Sequence, residues 1–507
     1  MTDTAPLRLF NSLTRSVKTF EPIMPGEARV YSCGPTVYNY AHLGNLRAYV
    51  FTDTLRRTLL WKGYDVTHII NITDVGHLTS DADAGDDKME AAARAQAKSI
   101  WDIAAHYTDA FKGNIAALNI IEPSEWTVAT DYVPQMIDFA KTIADGHCYE
   151  IDSGLYFDVS TVPNYGRLAR SKDDEGEGRI DPVAGKRNPQ DFAIWRKSAP
   201  GENRQMEWDS PWGKGAPGWH LECSVMSHAK LGHPFDIHTG GIDHREIHHP
   251  NEIAQNQAFC GCGDTAAGIG TDFTGARWWM HNNFLVDRSG KMSKSKGGFT
   301  TLFSLIDAGV HPLAYRLLCL SAHYRSELEF SGEIVGAALT RLKRMKKAIS
   351  VKLWKEFEET GQDVNDPAKF LPIPFEKRKD ADITGVLALF DAAISDDLNT
   401  PKCLPLLEEV ITDPTIENGL RWHLIATMDE VLGLNLLKMD RSELRIRPKE
   451  AVYQADQIDM ALLQRENARA NKEYALSDAI RDDLKANGVE VMDGDPLRWE
   501  WAIRLDQ

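Results

Sequence analysis

Residues 28 to 70 most constrain the fold, because they follow the order strand, tight turn, helix, strand. Residues 28–33 form a short segment rich in residues that favour β-strands, and Gly34-Pro35 ends it. Residues 66–70 form a second apolar strand, and Gly63 suits the end of the helix between them. The buried face of that helix is given by apolar residues at helical spacing: Ala48, Phe51, Leu55 and Leu59. This order predicts a βαβ unit in a parallel α/β domain, with the chemistry at the carboxyl ends of the strands.

Two chemically useful side chains follow the first strand directly. Cys33 ends it, and His42 stands with Asn45 at the start of the predicted helix. Residues three apart lie on one helix face. A helix N-terminus also offers unpaired N–H groups and the positive end of the dipole. His42 and Asn45 therefore predict an anion site suited to nucleotide phosphates, although a lone histidine here is more often a cap or a surface residue.

A lysine-rich pentapeptide, Lys-Met-Ser-Lys-Ser at 291–295, stands between Gly290 and Gly297-Gly298. The ammonium groups of Lys291 and Lys294, carried on a glycine-flanked loop, suit negative charge that develops briefly on a polyphosphate. By itself the segment is also typical of a solvated surface turn. Together with the His42 segment it favours a nucleotide-phosphate site.

Four dispersed residues offer a set of metal ligands. They are two cysteines, a histidine and a glutamate: Cys33, Cys223, His248 and Glu252. His248 and Glu252 are four apart, and Pro250 between them suits the first turn of a helix. Thiolate, imidazole and carboxylate groups together are typical of zinc. Cys260 and Cys262 are nearer to His248 and remain alternatives at this point.

Charge and cysteine usage limit the class of protein. The net charge of −17 argues against non-specific nucleic-acid binding, but it leaves room for a specific RNA held by local basic patches. Seven scattered cysteines argue against a disulfide framework. No run approaches the ~18 apolar residues of a membrane span, and the N-terminus has no apolar signal core, so we expect a cytoplasmic protein without a membrane partner.

The strongest basic patch is predicted to lie on the outer face of an amphipathic helix that begins after residue 331. Its cationic residues are Arg341, Lys343, Arg344, Lys346 and Lys347. A merely solvated face is an equally good interpretation. A second charged, amphipathic helix is predicted around residues 465–482 and is a candidate for contact with RNA. The alternative interpretation is a surface helix whose charges form salt bridges with one another.

The chain resembles the class I aminoacyl-tRNA synthetases, because His42-Leu-Gly-Asn45 and Lys291-Met-Ser-Lys-Ser295 match the "HIGH" and "KMSKS" signatures of that class. More selective segments resemble the cysteinyl-tRNA synthetase family, and the similarity runs through nearly the whole chain. These segments lie at 31–38, 71–74, 208–213, 217–223 and 248–252.

The resemblance implies a role for particular residues. It places one zinc ion on Cys33, Cys223, His248 and Glu252, rather than on Cys260 or Cys262. ATP binding and charge stabilisation fall on His42, Gly44, Asn45, Gly240, Gly241, Asp243, Lys291 and Lys294, with Mg²⁺ on the phosphates. Thr73 and Trp219 fall on positions that line the cysteine pocket. Asn45 departs from the signature, which ends in histidine, and we expect a modest effect.

The resemblance also implies a domain order and an activity. Residues 1–121 and 217–265 would be the halves of a Rossmann-like catalytic domain, interrupted by an inserted connective subdomain at 122–216. A stem-contact region (266–330), a helical bundle (331–440) and an anticodon-binding module (441–507) would follow. The expected reaction joins L-cysteine to tRNA(Cys) with ATP, and no obligatory protein partner is inferred. The alternatives are a ligase that transfers cysteine to an amino-sugar, and an inactive RNA-binding paralogue.

Overall fold

The structure is a computed structural model. It describes residues 5–75, 88–96, 98–169, 183–199, 204–260, 274–287, 290–291, 300–360, 371–374, 377–378, 384–503 and 505. Lys294 and Cys262 lie outside these residues, and only the backbone of Lys291 is described.

The N-terminal part contains the predicted βαβ unit. Its elements are β1 (Arg8–Asn11), β2 (Ser16–Thr19), β3 (Glu27–Ser32), α1 (Leu43–Trp61), β4 (Asp65–Ile72), α2 (Lys88–Gln96), α3 (Ile100–Ala117), β5 (Glu125–Val128) and α4 (Val133–His147). β3 and β4 pair in parallel, with Val30 opposite His68. Gly63 has φ +83°, a left-handed conformation that suits glycine just after α1. The predicted unit is confirmed, with strand ends shifted by one or two residues.

An antiparallel sheet follows, and the chain then returns to the parallel sheet. The elements are β6 (Cys148–Ile151), β7 (Gly154–Phe157), β8 (Phe192–Lys197), β9 (Gly215–Pro217), α5 (Trp219–Leu231), β10 (Phe235–Gly241), α6 (His248–Phe259), β11 (Ala276–Asn282), β12 (Leu285–Asp287) and β13 (Gly290–Lys291). β6 to β9 pair in sequence order. β5 pairs in parallel with β4, so it lies in the main sheet although the sequence division assigns it to the insert at 122–216.

The main sheet has the order β11-β10-β3-β4-β5, and all of its pairs are parallel. The chain proceeds outward from β3 through β4 to β5, and then returns to place β10 on the other side of β3. This reversal makes a crevice at the carboxyl ends of β3 and β10, which is where open α/β sheets bind ligands. The predicted α/β fold class is confirmed.

The rest of the chain is mainly helical. The elements are α7 (Leu302–Asp307), α8 (Pro312–Leu320), β14 (Leu328–Glu329), α9 (Gly332–Thr360), α10 (Thr384–Ser395), α11 (Thr400–Thr412), α12 (Asn418–Leu432), α13 (Ala455–Ala470), α14 (Tyr474–Ala486), β15 (Val489–Val491) and β16 (Trp499–Trp501). One hydrophobic core continues from Leu46 of α1 to Leu407 of α11 and Met428 of α12. None of the helices in the described part combines the length and apolar character needed to cross a membrane.

The basic face of α9 is largely used inside the protein. Arg341 pairs with Glu408 at 2.8 Å, and Lys347 pairs with Asp495 at 2.9 Å. Lys346 is buried and donates to the Leu436 carbonyl at 2.8 Å. The prediction of an outward basic face is therefore corrected in part: Lys346 is buried and most of the other cations pair with α11 or the C-terminal segment, but Arg344 and Lys347 remain largely exposed.

Candidate active site and metal centre

A cavity of about 540 Å³ opens at the crevice between β3 and β10. It brings together predicted residues from six separate parts of the chain. Those that line it are Cys33, His42, Gly44, Asn45, Thr73, Trp219, Cys223, Gly240, Gly241, Asp243 and His248. Glu252 is fully buried behind the wall. The side chains of Lys291 and Lys294 lie outside the description, so their place relative to the cavity stays a prediction.

One end of the cavity is the N-terminus of α1, where His42 is the N-cap residue. Its Nδ1 accepts from the Asn45 backbone N–H at 3.1 Å, and the Asn45 Oδ1 accepts from the His42 N–H at 3.4 Å. This reciprocal capping box satisfies two of the donors that a helix start leaves open. A Cβ at Gly44 would stand 3.0 Å from the His42 ring, so glycine lets this ring pack against the helix. The NH₂ group of Asn45 is thus the part of its amide that a phosphate could meet.

Four ligand atoms meet at the other end, those of Cys33, Cys223, His248 and Glu252, and all lie within 4.8 Å of one another. β3 delivers the first thiol, α5 the second, and the first turn of α6 the remaining two. His248 Nε2 lies 3.0 Å from Glu252 Oε1. Two thiols, an imidazole and a carboxylate fit a zinc ion in number and chemistry. Cys260, the alternative ligand, is exposed at the end of α6 and is not in the cluster.

Two histidines missed by the sequence analysis complete a second possible set with Cys33 and Glu252. His238 Nε2 lies 2.9 Å from Glu252 Oε2, and His249 Nε2 lies 3.3 Å from Cys33 Sγ. Neither histidine lines the cavity, whereas Cys223 and His248 do. We therefore favour the set that contains Cys223, because a substrate could reach it. His249 directly follows His248, which was the available signal; His238 lies within a strand and gave none.

The electrostatics of the cluster favour a cation. Burial alone raises the pKa of Glu252, but the charges of His238 and His248 outweigh it and hold the pKa at about 2. Burial lowers the pKa of His248, and Glu252 and Cys223 overcome this and raise it to about 10. The hydrogen bond to Cys33, then burial, raises the pKa of Cys223 well above that of a free thiol. Protons thus occupy the positions that a cation would take, so cation binding is coupled to proton release.

A chain of hydrogen bonds fixes Thr73 beside the cluster. Its hydroxyl donates to Glu222 Oε2 at 2.9 Å and accepts from Asn71 Nδ2 at 3.0 Å. Burial raises the pKa of Glu222 to about 8. The other residue predicted to line the cysteine pocket, Trp219, also lies beside the cluster, with its ring centre 4.4 Å from that of His248. Glu222 was not identified from the sequence, because its role depends on a residue 149 positions away.

The glycines of β10 allow a close packing at the cavity wall. A Cβ on Gly240 would lie 2.7 Å from the His249 ring, so a larger residue would displace that ring. Asp243 follows in the short helical turn Ile242–Arg245. Both glycines and Asp243 line the cavity, and their contact with ATP stays a prediction.

Helix α1 forms hydrogen bonds with residues on both sides of the lysine-rich pentapeptide 291–295. The Leu43 N–H donates to the Thr300 carbonyl at 2.9 Å, beyond the segment. Before the segment, buried Arg47 donates to the Asn283 carbonyl at 2.9 Å and also to the Phe284 carbonyl. Arg47 was not singled out in the sequence, because its partners are more than 230 positions away.

Comparison with known proteins gives consistent results. Residues 19–340 match the family model of the class I (C) tRNA synthetase catalytic domain. The cysteine–tRNA ligase of Novosphingobium aromaticivorans is 62% identical over 502 residues, covering 98% of this chain and 97% of that protein. The cysteine–tRNA ligase of Zymomonas mobilis is 56% identical, covering 98% of each.

A solved structure supports the fold alone. The LeuRS of Agrobacterium radiobacter, in a ternary complex with tRNA, aligns with a TM-score of 0.53 at 12% identity, covering 84% of this chain and 86% of that one.

Proposed function

Because this chain belongs to the class I cysteinyl-tRNA synthetase family, we propose that its cavity activates L-cysteine with ATP and transfers it to tRNA(Cys). The chain is an aminoacyl-tRNA synthetase and therefore a ligase. The observation that carries the proposal is a soft-metal ligand set and a helix N-terminus lining one cavity of about 540 Å³.

The reaction requires two transfers. The cysteine carboxylate attacks the α-phosphorus of ATP, which forms the cysteinyl-adenylate and releases pyrophosphate. A ribose hydroxyl of the terminal adenosine of tRNA then attacks the carbonyl carbon, and AMP leaves. His42, Asn45, Lys291 and Lys294 would stabilise the charge that grows on the phosphates in the first transfer, together with Mg²⁺ brought by ATP.

The ligand cluster accounts for the choice of amino acid. Cysteine and serine are nearly the same shape, so a pocket that senses shape alone discriminates poorly between them. Zinc held by Cys33, Cys223, His248 and Glu252 would supply a soft acceptor that prefers a thiolate to an alcohol. Thr73 and Trp219 would then position the rest of the substrate beside the cluster.

The alternatives lack a supporting observation. A cysteine ligase acting on an amino-sugar would not need the C-terminal modules, yet the curated relatives match this chain over 98% of its length. An inactive RNA-binding paralogue would not need the ligand cluster. We propose a cytoplasmic enzyme whose macromolecular partner is tRNA(Cys).

The decisive experiment is charging of tRNA(Cys) by the purified protein, run with and without zinc chelation. We expect charging that depends on L-cysteine and ATP and that is lost on chelation and restored by zinc. ATP–pyrophosphate exchange with serine at a rate close to that with cysteine would contradict the proposed selection by the metal.

Replacement of one ligand tests the zinc assignment. We expect Cys223→Ser to lose most of its zinc, measured by metal analysis, and to raise the KM for cysteine at least about 10-fold, because a soft ligand is replaced by a hard one. Cys260→Ser is the matched control and should keep both values. Full zinc content in Cys223→Ser would exclude this residue as a ligand.

A further inference from the structure

The phenol of Tyr31 is buried beside the ligand cluster, and Cys223 is the neighbour closest to giving its hydroxyl a hydrogen bond. The side chain has no exposed surface. Its hydroxyl has no partner of normal hydrogen-bond geometry. A buried polar group without a partner is unfavourable, and tyrosine hydroxyls in protein interiors usually find one. The orphan hydroxyl therefore needs an explanation.

The position of Tyr31 directs this hydroxyl at sulfur. Tyr31 lies two positions before Cys33, and alternate residues of an extended strand point to the same face. Its ring stands edge-on to that of His238 at 5.2 Å. Burial, then the proximity of Cys223, Cys33 and Glu252, raises the pKa of the Tyr31 hydroxyl, and a hydrogen bond to Cys223 adds to this. The acceptors that face it are thus the proposed zinc ligands.

The net negative charge of the zinc-bound cluster would be stabilised by a nearby hydrogen-bond donor. Two thiolates and a carboxylate outweigh the double charge of zinc, and the thiolate of a substrate cysteine would add further negative charge. Buried charge is unfavourable unless hydrogen bonds disperse it. A neutral phenol can donate its O–H and carries no charge of its own. An O–H directed at a ligand sulfur would withdraw negative charge without occupying a coordination position.

We infer that Tyr31 is a positioning residue that donates a hydrogen bond to the Cys223 thiolate of the metal-loaded site and so allows a third, substrate-derived thiolate to bind. This inference rests on the proposed function. It assigns to Tyr31 a part in cysteine affinity and in retention of the metal, and none in ATP binding.

The first test is metal retention by Tyr31→Phe, measured by competition with a chromophoric chelator. We expect zinc affinity to fall about 10-fold, as for other second-layer donors. Tyr49→Phe is the matched control: Tyr49 is also buried, but its hydroxyl donates to the Cys33 carbonyl oxygen at 3.4 Å rather than to sulfur. It should retain zinc like the wild type. Equal affinity in Tyr31→Phe and wild type would overturn the inference.

A spectroscopic test separates this role from a general loss of structure. Cobalt-substituted protein shows sulfur-to-metal charge-transfer absorption, and loss of a donor to sulfur should move this absorption to longer wavelength. The shift should occur in Tyr31→Phe and be absent in Tyr49→Phe. An unmoved band in Tyr31→Phe would overturn the assignment.

Substrate affinity completes the test. In pyrophosphate exchange we expect Tyr31→Phe to raise the KM for cysteine several-fold and to leave the KM for ATP unchanged. Wild-type protein without cysteine-dependent exchange would contradict the proposed function itself. Normal wild-type exchange with an unchanged cysteine KM in Tyr31→Phe would contradict only the role of Tyr31.

Discussion

Asn45 combines an observed structural task with the proposed contact to phosphate, one for each end of its amide. Its oxygen closes the capping box of α1, while its NH₂ group is the part available to a phosphate. This explains how asparagine can stand where the family signature ends in histidine: it keeps a donor for phosphate and also supplies an acceptor for the cap. The tasks can be separated by substitution.

We expect Asn45→Asp to keep the cap and lose the phosphate donor, because a carboxylate accepts but does not donate. Its melting temperature should match the wild type, while the rate of pyrophosphate exchange falls at least about 10-fold through repulsion of the phosphates. Asn45→Ala should lose the rate and also about 0.5 kcal/mol of stability, since the bond from the His42 N–H to the Asn45 side chain is removed while the bond from the residue-45 backbone N–H to His42 Nδ1 remains. If Asn45→Asp exchanged pyrophosphate at the wild-type rate, the amide would have no role in activation.

Strands β4, β3 and β10 are joined beneath the cavity by a short polar chain. Ser32 Oγ lies 2.9 Å from His68 Nε2 and 2.7 Å from Thr239 Oγ1. Burial, and secondarily the charge of Arg56, lowers the pKa of His68 to about 3. His68 is thus neutral in the folded protein at a pH where the unfolded chain protonates it.

This buried histidine predicts a pH dependence of stability. The unfolded state binds one more proton between the unfolded pKa of about 6.5 and the folded pKa of about 3. His68 therefore costs no stability above pH 6.5 and destabilises by up to about 1.4 kcal/mol per pH unit below it. Urea denaturation of the metal-free protein from pH 7.5 to 5 should show this slope, and His68→Gln should reduce it. An equal slope in His68→Gln would assign the effect to other groups.

The boundaries of α1 and its flanking strands could be predicted from the sequence, but the tertiary partners of the helices could not. The register of α1 and the ends of β3 and β4 followed from turn residues and periodicity, which are local. The basic face of α9 was correctly placed on a helix, but its use was not predictable. Lys343, for example, pairs with Glu500 at 2.5 Å, 157 positions away. No local pattern contains such a partner.

The site was predictable to the same extent. Its motif residues were available from the sequence, and the structure places the described ones around one cavity. Residues that support them, such as Arg47, Glu222 and His238, were missed, because each acts through a tertiary contact. They are polar and buried, which is apparent only after the chain has folded.

Arg316 of α8 joins helix α1 of the N-terminal part to the C-terminal helices. It is completely buried and pairs with Asp53 of α1 at 2.6 Å. It also donates to the Leu432 carbonyl at the end of α12, at 2.7 Å, and to the Leu118 carbonyl after α3, at 3.0 Å. One guanidinium thus satisfies acceptors from three helices.

We expect Arg316→Met to lower the free energy of unfolding by about 2 kcal/mol, because it leaves the buried carbonyls of Leu118 and Leu432 short of donors and leaves Asp53 with Arg57 as its cationic partner. The double variant with Asp53→Asn should lose less than the sum of the single variants, since both single variants remove the same ion pair. Urea denaturation monitored by tryptophan fluorescence measures both. Strict additivity would show that the ion pair is not the source of the cost.

The ligand cluster has a consequence for the order in which the chain can fold. Cys33 and Cys223 are 190 positions apart in sequence, and the whole antiparallel sheet lies between them. A metal held between them is a cross-link across a very long loop, and closing such a loop is slow because its entropy is lost before the contacts form. The cluster therefore belongs to the last events of folding. We therefore expect zinc to bind only to chains in which the strands of the parallel sheet have already paired.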